Sequence, residues 1–113
     1  MKQIIAYIRP AVLERVTEVL REIKGLSGMS VLDIKGFGQG KGAFCRDERD
    51  GEITWFCQFV RIELMVSDTI LGDVVEAIRE QAWTGERGEG KIYILEVVEA
   101  VRIRTNERGE AAV

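Results

Sequence analysis

The sequence predicts an α+β domain in which an antiparallel four-stranded sheet carries two helices on one face. Four short runs rich in β-branched residues are typical of strands, and two amphipathic stretches have the spacing of helices. A glycine-rich and strongly charged stretch joins the second run to the third, where a long loop is expected. The resulting order is β-α-β-loop-β-α-β, and the 113 residues suffice for one such domain, at 1–113, but not for two.

The first strand and helix are predicted by composition and spacing. Residues Lys2–Ile8 are rich in β-branched side chains, which favours a strand. Pro10 follows where the first turn of a helix needs no N–H donor. Apolar residues then recur at helical spacing over 11–24, and Gly25 can cap the end of this helix. A second strand is predicted for Met29–Gly36 because apolar and charged residues alternate there.

A long protruding loop, at about 38–58, is predicted after the second strand. Four glycines lie within 36–42, and the strongly charged stretch 46–52 contains Asp50 and Gly51 as the expected turn. Exposed aromatic residues near the end of this loop are candidates for contacts with a partner protein.

The second half repeats the strand and helix pattern. Phe59–Val66 is predicted to be a strand, and Ser67 or Asp68 is expected to cap the helix that follows. That helix spans roughly 70–82, a glycine-rich loop follows, and Ile92–Val98 forms the last strand. This element order belongs to the ferredoxin-like class, which hosts many unrelated functions, so the function has to be read from the site residues.

Composition excludes several classes of function. The chain contains no histidine and only two cysteines, so a histidine-based catalytic triad, a zinc site or a disulfide framework cannot be built within one chain. A net charge of −3 and a pI of about 5.1 argue against a nucleic-acid binder. No apolar run approaches the roughly 20 residues of a membrane span, and the N-terminus lacks a signal-peptide core, so a cytoplasmic location is expected.

The stretch 84–91 is the strongest candidate for a ligand site. It holds three glycines and Lys91, so its backbone N–H groups can surround a phosphate while the ammonium group neutralises it. The spacing from Gly85 to Lys91 fits a P-loop, but Ile92 stands where the magnesium-binding hydroxyl is needed, and a strand follows instead of a helix. A P-loop NTPase is therefore rejected. A glycine-rich connection that merely turns the chain stays open as the alternative.

Two arginines near the C-terminus supply further positive charge. Arg102 and Arg104 would share one face of an extended strand, and with Lys91 they provide three counter-charges for phosphate groups. Gly88 and Gly90 allow the backbone to approach such a ligand closely. Considered alone, however, two alternating arginines more often form a solvated surface.

The stretch 84–93 closely resembles the C-terminal signature of the PII signal-transduction proteins. Further similarities occur in the expected order along the whole chain, without a large gap. They comprise Arg9-Pro10 after the first strand, 28–31 at the second, Lys35-Gly36-Phe37-Gly38 with Lys41-Gly42 at the base of the long loop, and Arg102-Ile103-Arg104-Thr105 with 107–110 in the C-terminal tail. In this family the long loop is called the T-loop, and that name is used below for 38–58.

The resemblance implies a ferredoxin-like subunit that assembles as a homotrimer and binds ATP and ADP competitively between neighbouring subunits. Such proteins are not primarily enzymes, and no catalytic or metal-binding residues are expected. Their nucleotide state sets the conformation of the T-loop, which docks onto or releases transporters, enzymes and regulators of nitrogen metabolism. The implied partner of this chain is such a target, for example an ammonium transporter.

The resemblance also assigns a nucleotide site residue by residue. Phosphate contacts fall on the glycine loop and the tail, namely Gly88, Glu89, Gly90, Lys91, Arg102 and Arg104. The adjacent strand and the base of the T-loop close the site with Ser30, Gly36, Phe37 and Gly38, and Gln39 lies beside them. At Glu89 the chain keeps the carboxylate of the aspartate that the family commonly has.

Two departures from the family pattern concern its second ligand. Gly40 occupies the position of the glutamine that coordinates magnesium beside ATP, although Gln39 could replace it after a one-residue slip of the loop. Phe59 occupies the position of the lysine that pairs with 2-oxoglutarate. Losing the charge partner of a carboxylate costs about 1.5–3 kcal/mol. The sequence therefore argues against strong 2-oxoglutarate sensing, and against the Mg²⁺ site that supports it.

Cys45 and Cys57 flank the predicted turn almost symmetrically. A disulfide between them would clamp the base of the T-loop. Two reduced thiols are the favoured interpretation for a cytosolic protein. The T-loop also lacks a tyrosine, which excludes modification of a tyrosine at its tip.

The leading hypothesis is a non-enzymatic PII-family protein that binds ATP or ADP and regulates partners through its T-loop. The alternative is a divergent PII-like sensor of ADP, AMP or another small anion, which controls a different transporter or enzyme without 2-oxoglutarate. An enzyme of the ferredoxin-like class is the competing hypothesis, and it predicts turnover of added nucleotide. A trimer also agrees with the fold, because the uncovered sheet face, expected to carry residues such as Ile5, Tyr7 and Ile62 or its neighbours, needs burial elsewhere.

Overall fold

The computed structural model describes residues 1–37, 56–86, 88 and 90–113, together with the backbone of 45–46 and 53–54. It shows an antiparallel sheet of four strands with two helices packed on one face, which confirms the predicted ferredoxin-like fold. Neither described helix is long and apolar enough to cross a membrane. In chain order the elements are β1 (Lys2–Ile8), α1 (Leu13–Arg21), β2 (Ser30–Gly36), β3 (Cys45–Arg46), β4 (Ile53–Thr54), β5 (Cys57–Val66), α2 (Leu71–Ala82) and β6 (Gly90–Glu96).

β1 lies inside the sheet, whose strand order is β2-β5-β1-β6. Both neighbours run antiparallel to β1, and Ile4 stands opposite Leu64 of β5 and Ile94 of β6. β6 and β2 are the two edge strands. β2 pairs with β5, and Gly36 stands opposite Cys57. The strand ends that lead into the T-loop therefore lie at the same end of the sheet as the glycine loop that precedes β6.

The core lies between the sheet and the two helices. Side chains at alternate positions of a strand point to the same face, so Ile4, Ala6 and Ile8 of β1 all face the helices. Ile62 of β5 is fully buried opposite Ala6. The prediction that Ile62 or its neighbours lie on the uncovered face is confirmed for Arg61 and Glu63, which stand opposite Tyr7 and Ile5. Ile62 itself lies on the helix side, because it pairs with Ala6. The remaining buried apolar residues are Val12, Val16, Leu20, Val60, Leu64, Val66, Val74 and Ile78.

The first helix is shorter than predicted. Residues Pro10–Val12 form a 3-10 turn, and the α-helix covers only Leu13–Arg21. Helix ends commonly tighten into 3-10 turns. The same tightening occurs after the last residue of α1, where the amide of Ile23 bonds the carbonyl of Leu20, three residues back. Gly25 then adopts a φ of +96°, the left-handed conformation expected of a glycine that ends a helix.

The predicted cap of the second helix is wrong. α2 begins after Ile70, which makes no side-chain capping hydrogen bond. The Asp68 carboxylate instead accepts hydrogen bonds from Lys2 Nζ, at 3.0 Å, and from the N-terminal ammonium group, at 3.1 Å. The hydroxyl of Ser67 pairs with that of a neighbouring threonine at 2.7 Å. Both candidate caps are thus engaged by other partners.

The last strand begins and ends two residues earlier than predicted. β6 covers Gly90–Glu96 because these residues pair with the full length of β1. The amide of Asn106 bonds the carbonyl of Arg102 at 2.8 Å, and Asn106 has a φ of +60°, so the tail reverses direction there. The prediction that Arg102 and Arg104 share an extended face is wrong for this reason. The tail also contains a 3-10 turn at Gly109–Ala112.

Part of the predicted T-loop is described. The backbone of Cys45–Arg46 pairs antiparallel with that of Ile53–Thr54, which makes a small hairpin from β3 and β4. β5 begins at Cys57, two residues before the predicted strand start at Phe59. The expected turn at Asp50-Gly51 lies outside the described residues.

The described residues leave the face of the sheet opposite the helices uncovered, and this face is largely apolar. Ile5 and Tyr7 lie on it, as predicted, and both are partly buried. Large apolar side chains with 42–49% of their surface exposed accompany them, namely Leu32, Met65, Tyr93 and Leu95. Such a surface is typical of a contact with another chain.

Candidate functional site

The glycine loop between α2 and β6 is held in a conformation that needs glycine. Gly85, Gly88 and Gly90 have φ angles of +82°, +79° and +115°, where L side chains are strained. Gly90 also lies against the carbonyl group of Tyr7, so a Cβ atom at this position would overlap it. The three glycines therefore shape the loop, whatever it binds, and the loop delivers Lys91 to the start of β6.

Arg9 connects this loop to the end of β1. Its Nε donates to the carbonyl oxygen of Gly88 at 3.2 Å, and its Nη1 donates to Oε2 of Glu86 at 2.8 Å. The Arg9 side chain is 32% exposed, so the ion pair is partly shielded from solvent. Sequence reasoning noted Arg9 only as part of the family resemblance, because an isolated arginine after a strand carries no signal of its distant contacts.

An open cavity of about 380 Å³ lies beside Gly90 and Lys91, on the uncovered face of the sheet. Its lining combines four aromatic rings with two lysines. The lining residues are Tyr7, Ile34, Lys35, Gly36, Phe37, Phe59, Gly90, Lys91 and Tyr93. Apolar walls with a few cations suit a ligand that has both a planar aromatic group and an anionic group.

Two of the aromatic rings support each other at the cavity wall. Tyr7 and Tyr93 meet edge to face, with ring centroids 6.0 Å apart and ring planes at 86°. The guanidinium carbon of Arg61 lies 5.8 Å from the ring centroid of Tyr7, and its Nη1 donates to the Tyr7 hydroxyl at 3.4 Å. Arg61 is in turn paired with Glu63 at 2.7 Å. These contacts hold the Tyr7 ring in place.

Phe59 gives another wall of the cavity an aromatic ring. Its Cδ2 would be 3.0 Å from a Cβ atom at Gly36, so the ring lies almost against the Gly36 backbone. Phe37 and Phe56, at the root of the T-loop, form a second ring pair with centroids 6.3 Å apart. Within the described part of the chain, no group of three or more His, Cys, Asp or Glu side chains could hold a metal ion.

The cavity brings together four of the residues assigned to nucleotide binding, Gly36, Phe37, Gly90 and Lys91. They come from β2, the T-loop root and β6, which the sheet register places at one end. Gly88 belongs to the adjoining loop and is the residue whose carbonyl Arg9 holds.

Ser30, another residue assigned to nucleotide binding, does not meet this cavity within one chain. Ser30 begins β2 and Gly36 ends it, and six residue steps of strand span about 20 Å. Ser30 is therefore far from the cavity of its own chain. Three further assigned residues lie outside the described part of the chain, namely Gly38, Gln39 and Glu89.

Arg102 and Arg104 lie beyond the other end of β6. Lys91 is the second residue of this strand, whereas the tail that carries both arginines follows Glu96, its last residue. Five residue steps of strand span about 17 Å. Arg102 is engaged there by Glu107, whose Oε1 lies 3.1 Å from its Nη1. Within one chain the structure does not bring these arginines to Lys91.

The structure places Cys57 in a disulfide, whereas reduced thiols were the favoured interpretation of the sequence. The chain has one other cysteine, Cys45, whose backbone lies in β3 and whose side chain is outside the described part. β3 pairs with β4 and also contacts β5. These contacts bring the strand that carries Cys45 close to the strand that begins at Cys57. The spacing of the two cysteines along the sequence could not show whether their strands lie close together.

Comparison with known proteins identifies the family. The family model of the nitrogen regulatory protein P-II matches residues 1–107. The nitrogen regulatory protein P-II of Rhodospirillum rubrum is 42% identical over 113 residues, which are the whole of both chains. The protein of the same name from Bradyrhizobium diazoefficiens is 41% identical, and nitrogen regulatory protein P-II 1 of Escherichia coli K12 is 40% identical, again over the full length of both chains. The chain therefore belongs to the nitrogen regulatory protein P-II family.

Proposed function

We propose that this P-II family member is a non-enzymatic cytoplasmic regulator that binds ATP or ADP and controls a partner protein through its T-loop. The observation that carries the proposal is the aromatic cavity, which is continuous with Gly90 and Lys91 at the end of the glycine loop. Ligand occupancy, and not turnover of the ligand, would then be the signal.

The cavity matches the two ends of an adenine nucleotide. The rings of Tyr7, Phe37 and Phe59 offer apolar surface to a purine base. The Lys91 ammonium group and the glycine loop around Gly88 offer charge and backbone N–H groups to the phosphates. By their family positions, Ser30, Gly38, Gln39 and Glu89 are assigned to the same site.

A homotrimer would complete this site. The two lysines that line the cavity do not balance the charge of a triphosphate, and Arg102 and Arg104 are too far away within one chain. A neighbouring copy that packs its tail beside Lys91 would supply them. Assembly would also cover the apolar sheet face, where Arg61 Nε is buried without a hydrogen-bond partner among the described residues.

Ligand binding would act on the T-loop through its root. Phe37 lines the cavity and contacts Phe56, and the two side chains are 65% and 53% exposed. A ligand that contacts Phe37 favours one arrangement of this ring pair, so exchange of ATP for ADP would shift the conformations of the attached loop. The proposed partner is a transporter, for example one for ammonium, or an enzyme of nitrogen metabolism.

A second candidate function is a sensor of ADP, AMP or another small anion that does not respond to 2-oxoglutarate. The Phe59 ring favours it, because this wall of the cavity offers no charge to a carboxylate. The lining lysines, Lys35 and Lys91, would both be used by phosphate groups. Neither Mg²⁺ nor 2-oxoglutarate would then increase nucleotide binding.

Calorimetric titration tests these proposals. ATP, ADP and AMP are added to the purified chain, with and without Mg²⁺ and 2-oxoglutarate. Lys91→Ala and Arg104→Ala are expected to weaken ATP binding about tenfold or more, because each removes a charged phosphate contact. The matched controls are Arg21→Ala, at the last residue of α1, and Lys24→Ala, three residues further on, because both side chains are exposed.

The outcomes separate the two candidates. ATP and ADP binding that both site variants weaken would support the nucleotide site, and AMP or ADP binding without ATP binding would favour the second candidate. ATP binding that neither variant weakens would contradict the assigned residues. If no adenine nucleotide binds, the proposed function is wrong.

A further inference from the structure

Two contacts of Arg9 with described residues act on the shape and on the charge of the glycine loop. Its Nε holds the Gly88 carbonyl oxygen at 3.2 Å, and its Nη1 holds the Glu86 carboxylate at 2.8 Å. We propose that Arg9 is a positioning residue of the anion-binding loop, and that Glu86, its charge partner, lowers the affinity of this loop for phosphate groups. The inference rests on the proposed nucleotide function.

The contact with Gly88 acts on the shape of the loop. Glycine has no side chain to pack and the greatest backbone freedom, so fixing its conformation costs conformational entropy. A planar guanidinium group donates in fixed directions, so Arg9 can hold one loop conformation. With its carbonyl held, Gly88 keeps the φ of +79° that directs the chain towards Lys91. The loop is then organised before a phosphate arrives, which lowers the cost of binding.

Arg9 and Glu86 also affect the charge beside the loop. The Arg9–Glu86 pair is close to neutral, and replacing the Glu86 carboxylate by a neutral group would remove one negative charge from the loop. Glu86 is 72% exposed, so the pair itself contributes little stability. Its carboxylate nevertheless lies in the same loop as Gly88 and Lys91 and repels an incoming anion. This repulsion acts through solvent and is screened by salt. Glu86 thereby makes the affinity of the loop for phosphate groups lower, and less dependent on ionic strength, than it would be without this carboxylate.

The experiment is an ATP titration of the full chain and three variants at low and high ionic strength. Arg9→Ala should weaken binding about tenfold, because the loop loses its charged hydrogen bond and its nearby cation. Arg9→Lys should recover part of this loss, since it keeps the charge but not the fork of donors. Glu86→Gln keeps the side-chain shape and should tighten binding about threefold at low ionic strength, with a smaller gain at high ionic strength.

The salt dependence separates positioning and charge from a merely structural role. A residue that only stabilised the fold would change the unfolding midpoint and leave the ionic-strength dependence of binding as in the wild type. If Arg9→Ala does not fold, Glu86→Gln decides the question by itself. Glu86→Gln binding ATP with wild-type affinity at both ionic strengths would overturn the inference.

The wild-type titration distinguishes failure of this inference from failure of the proposed function. A wild-type chain that binds no nucleotide removes the proposed function, and the inference is rejected with it. A wild-type chain that binds ATP, beside folded Arg9→Ala and Glu86→Gln variants that bind it equally well, rejects the inference and leaves the proposed function standing.

Discussion

The backbone of Gly90 lies so close to the carbonyl oxygen of Tyr7 that no side chain fits between β1 and the start of β6. The φ of Gly90, +115°, is also strained for any residue with a Cβ atom. The next residue, Lys91, stands directly opposite Tyr7, and both residues line the aromatic cavity. This one glycine therefore serves both the strand pairing and the placement of the candidate phosphate contact.

Gly90→Ala should lower the free energy of unfolding by about 2–5 kcal/mol, from backbone strain together with overlap with Tyr7. Gly109→Ala has a strained φ, +72°, but open space, and should cost about 1–2 kcal/mol. Gly28→Ala has open space and no strained φ, so its free energy of unfolding should stay within about 0.5 kcal/mol of that of the wild type. Urea unfolding measures all three. Equal effects of Gly90→Ala and Gly109→Ala would show that the contact with Tyr7 relaxes at no cost.

The uncovered sheet face should be buried between copies of the chain. Leu32 lies on this face and is 44% exposed. Light scattering should give three times the chain mass of 12.7 kDa for the wild type, and a smaller mass for Leu32→Asp, because an unpaired carboxylate is costly to bury. Ala11→Asp adds the same charge on the exposed turn before α1 and should leave the assembly intact. A wild-type monomer at micromolar concentration would contradict the trimer.

Phe59 should make nucleotide binding insensitive to 2-oxoglutarate. With Mg²⁺ present, 2-oxoglutarate should change the ATP affinity of the wild type by less than about threefold, because the cavity wall at Phe59 is uncharged. Phe59→Lys returns a cation to this wall and should produce an enhancement of about tenfold. Phe56→Lys, at the loop root but not in the cavity lining, is the control. Strong enhancement in the wild type would show that another residue replaces the charge.

Acid should weaken the contact between Lys2 and Asp68. Hydrogen bonds from Lys2 and from the N-terminal ammonium group hold the pKa of the Asp68 carboxyl below its ordinary value of 3.8. A carboxyl with a lowered folded-state pKa stabilises the fold above its unfolded pKa, and this contribution is lost as pH falls through the folded-state pKa.

Unfolding of the wild type and of Asp68→Asn over a range of pH measures this contribution. The difference in the free energy of unfolding should be constant between about pH 5 and 7 and should shrink as pH falls below about 3.8. Lys2→Ala should reduce the same pH dependence, since it removes the hydrogen bond from Lys2 that contributes most to the lowered pKa of Asp68. A difference that stays constant into strong acid would count against the ion pair.

The fold was predictable because its elements depend on local patterns. The strand at Lys2–Ile8 has the predicted bounds, and the apolar stripe of α2 supplies Val74 and Ile78 to the core as its spacing indicates. The errors arise where a distant residue competes with a local preference. Asp68 has the character of a helix cap, but Lys2, 66 residues away in the chain, binds its carboxylate instead. The bounds of β6 likewise follow from the length of β1.

The candidate site was predictable only in part. The meeting of Gly36 with Lys91 follows from the sheet register, which the element order already implies. The contact between Arg9 and Glu86 joins residues 77 positions apart, and no pattern in the sequence around either residue predicts it. Arg102 could not be placed either, because the contact expected with another copy joins residues of two different chains.

The central claim is that each nucleotide site is built from two copies of the chain. Lys91 lies in the cavity of one chain, while Arg104 lies in the tail beyond the far end of β6. The most direct test mixes Lys91→Ala chains with Arg104→Ala chains, carrying different affinity tags, and isolates trimers that contain both. Going round such a trimer, one junction pairs an intact Lys91 with an intact Arg104 of the next copy.

The measurement is the number of ATP molecules bound per mixed trimer, determined by calorimetry beside the two unmixed variants. The account predicts one site of wild-type affinity per mixed trimer and only weak binding to either unmixed variant. If each site were built within a single chain, no chain in the mixture would be intact. Weak binding to mixed trimers, equal to that of the unmixed variants, would therefore contradict the shared site.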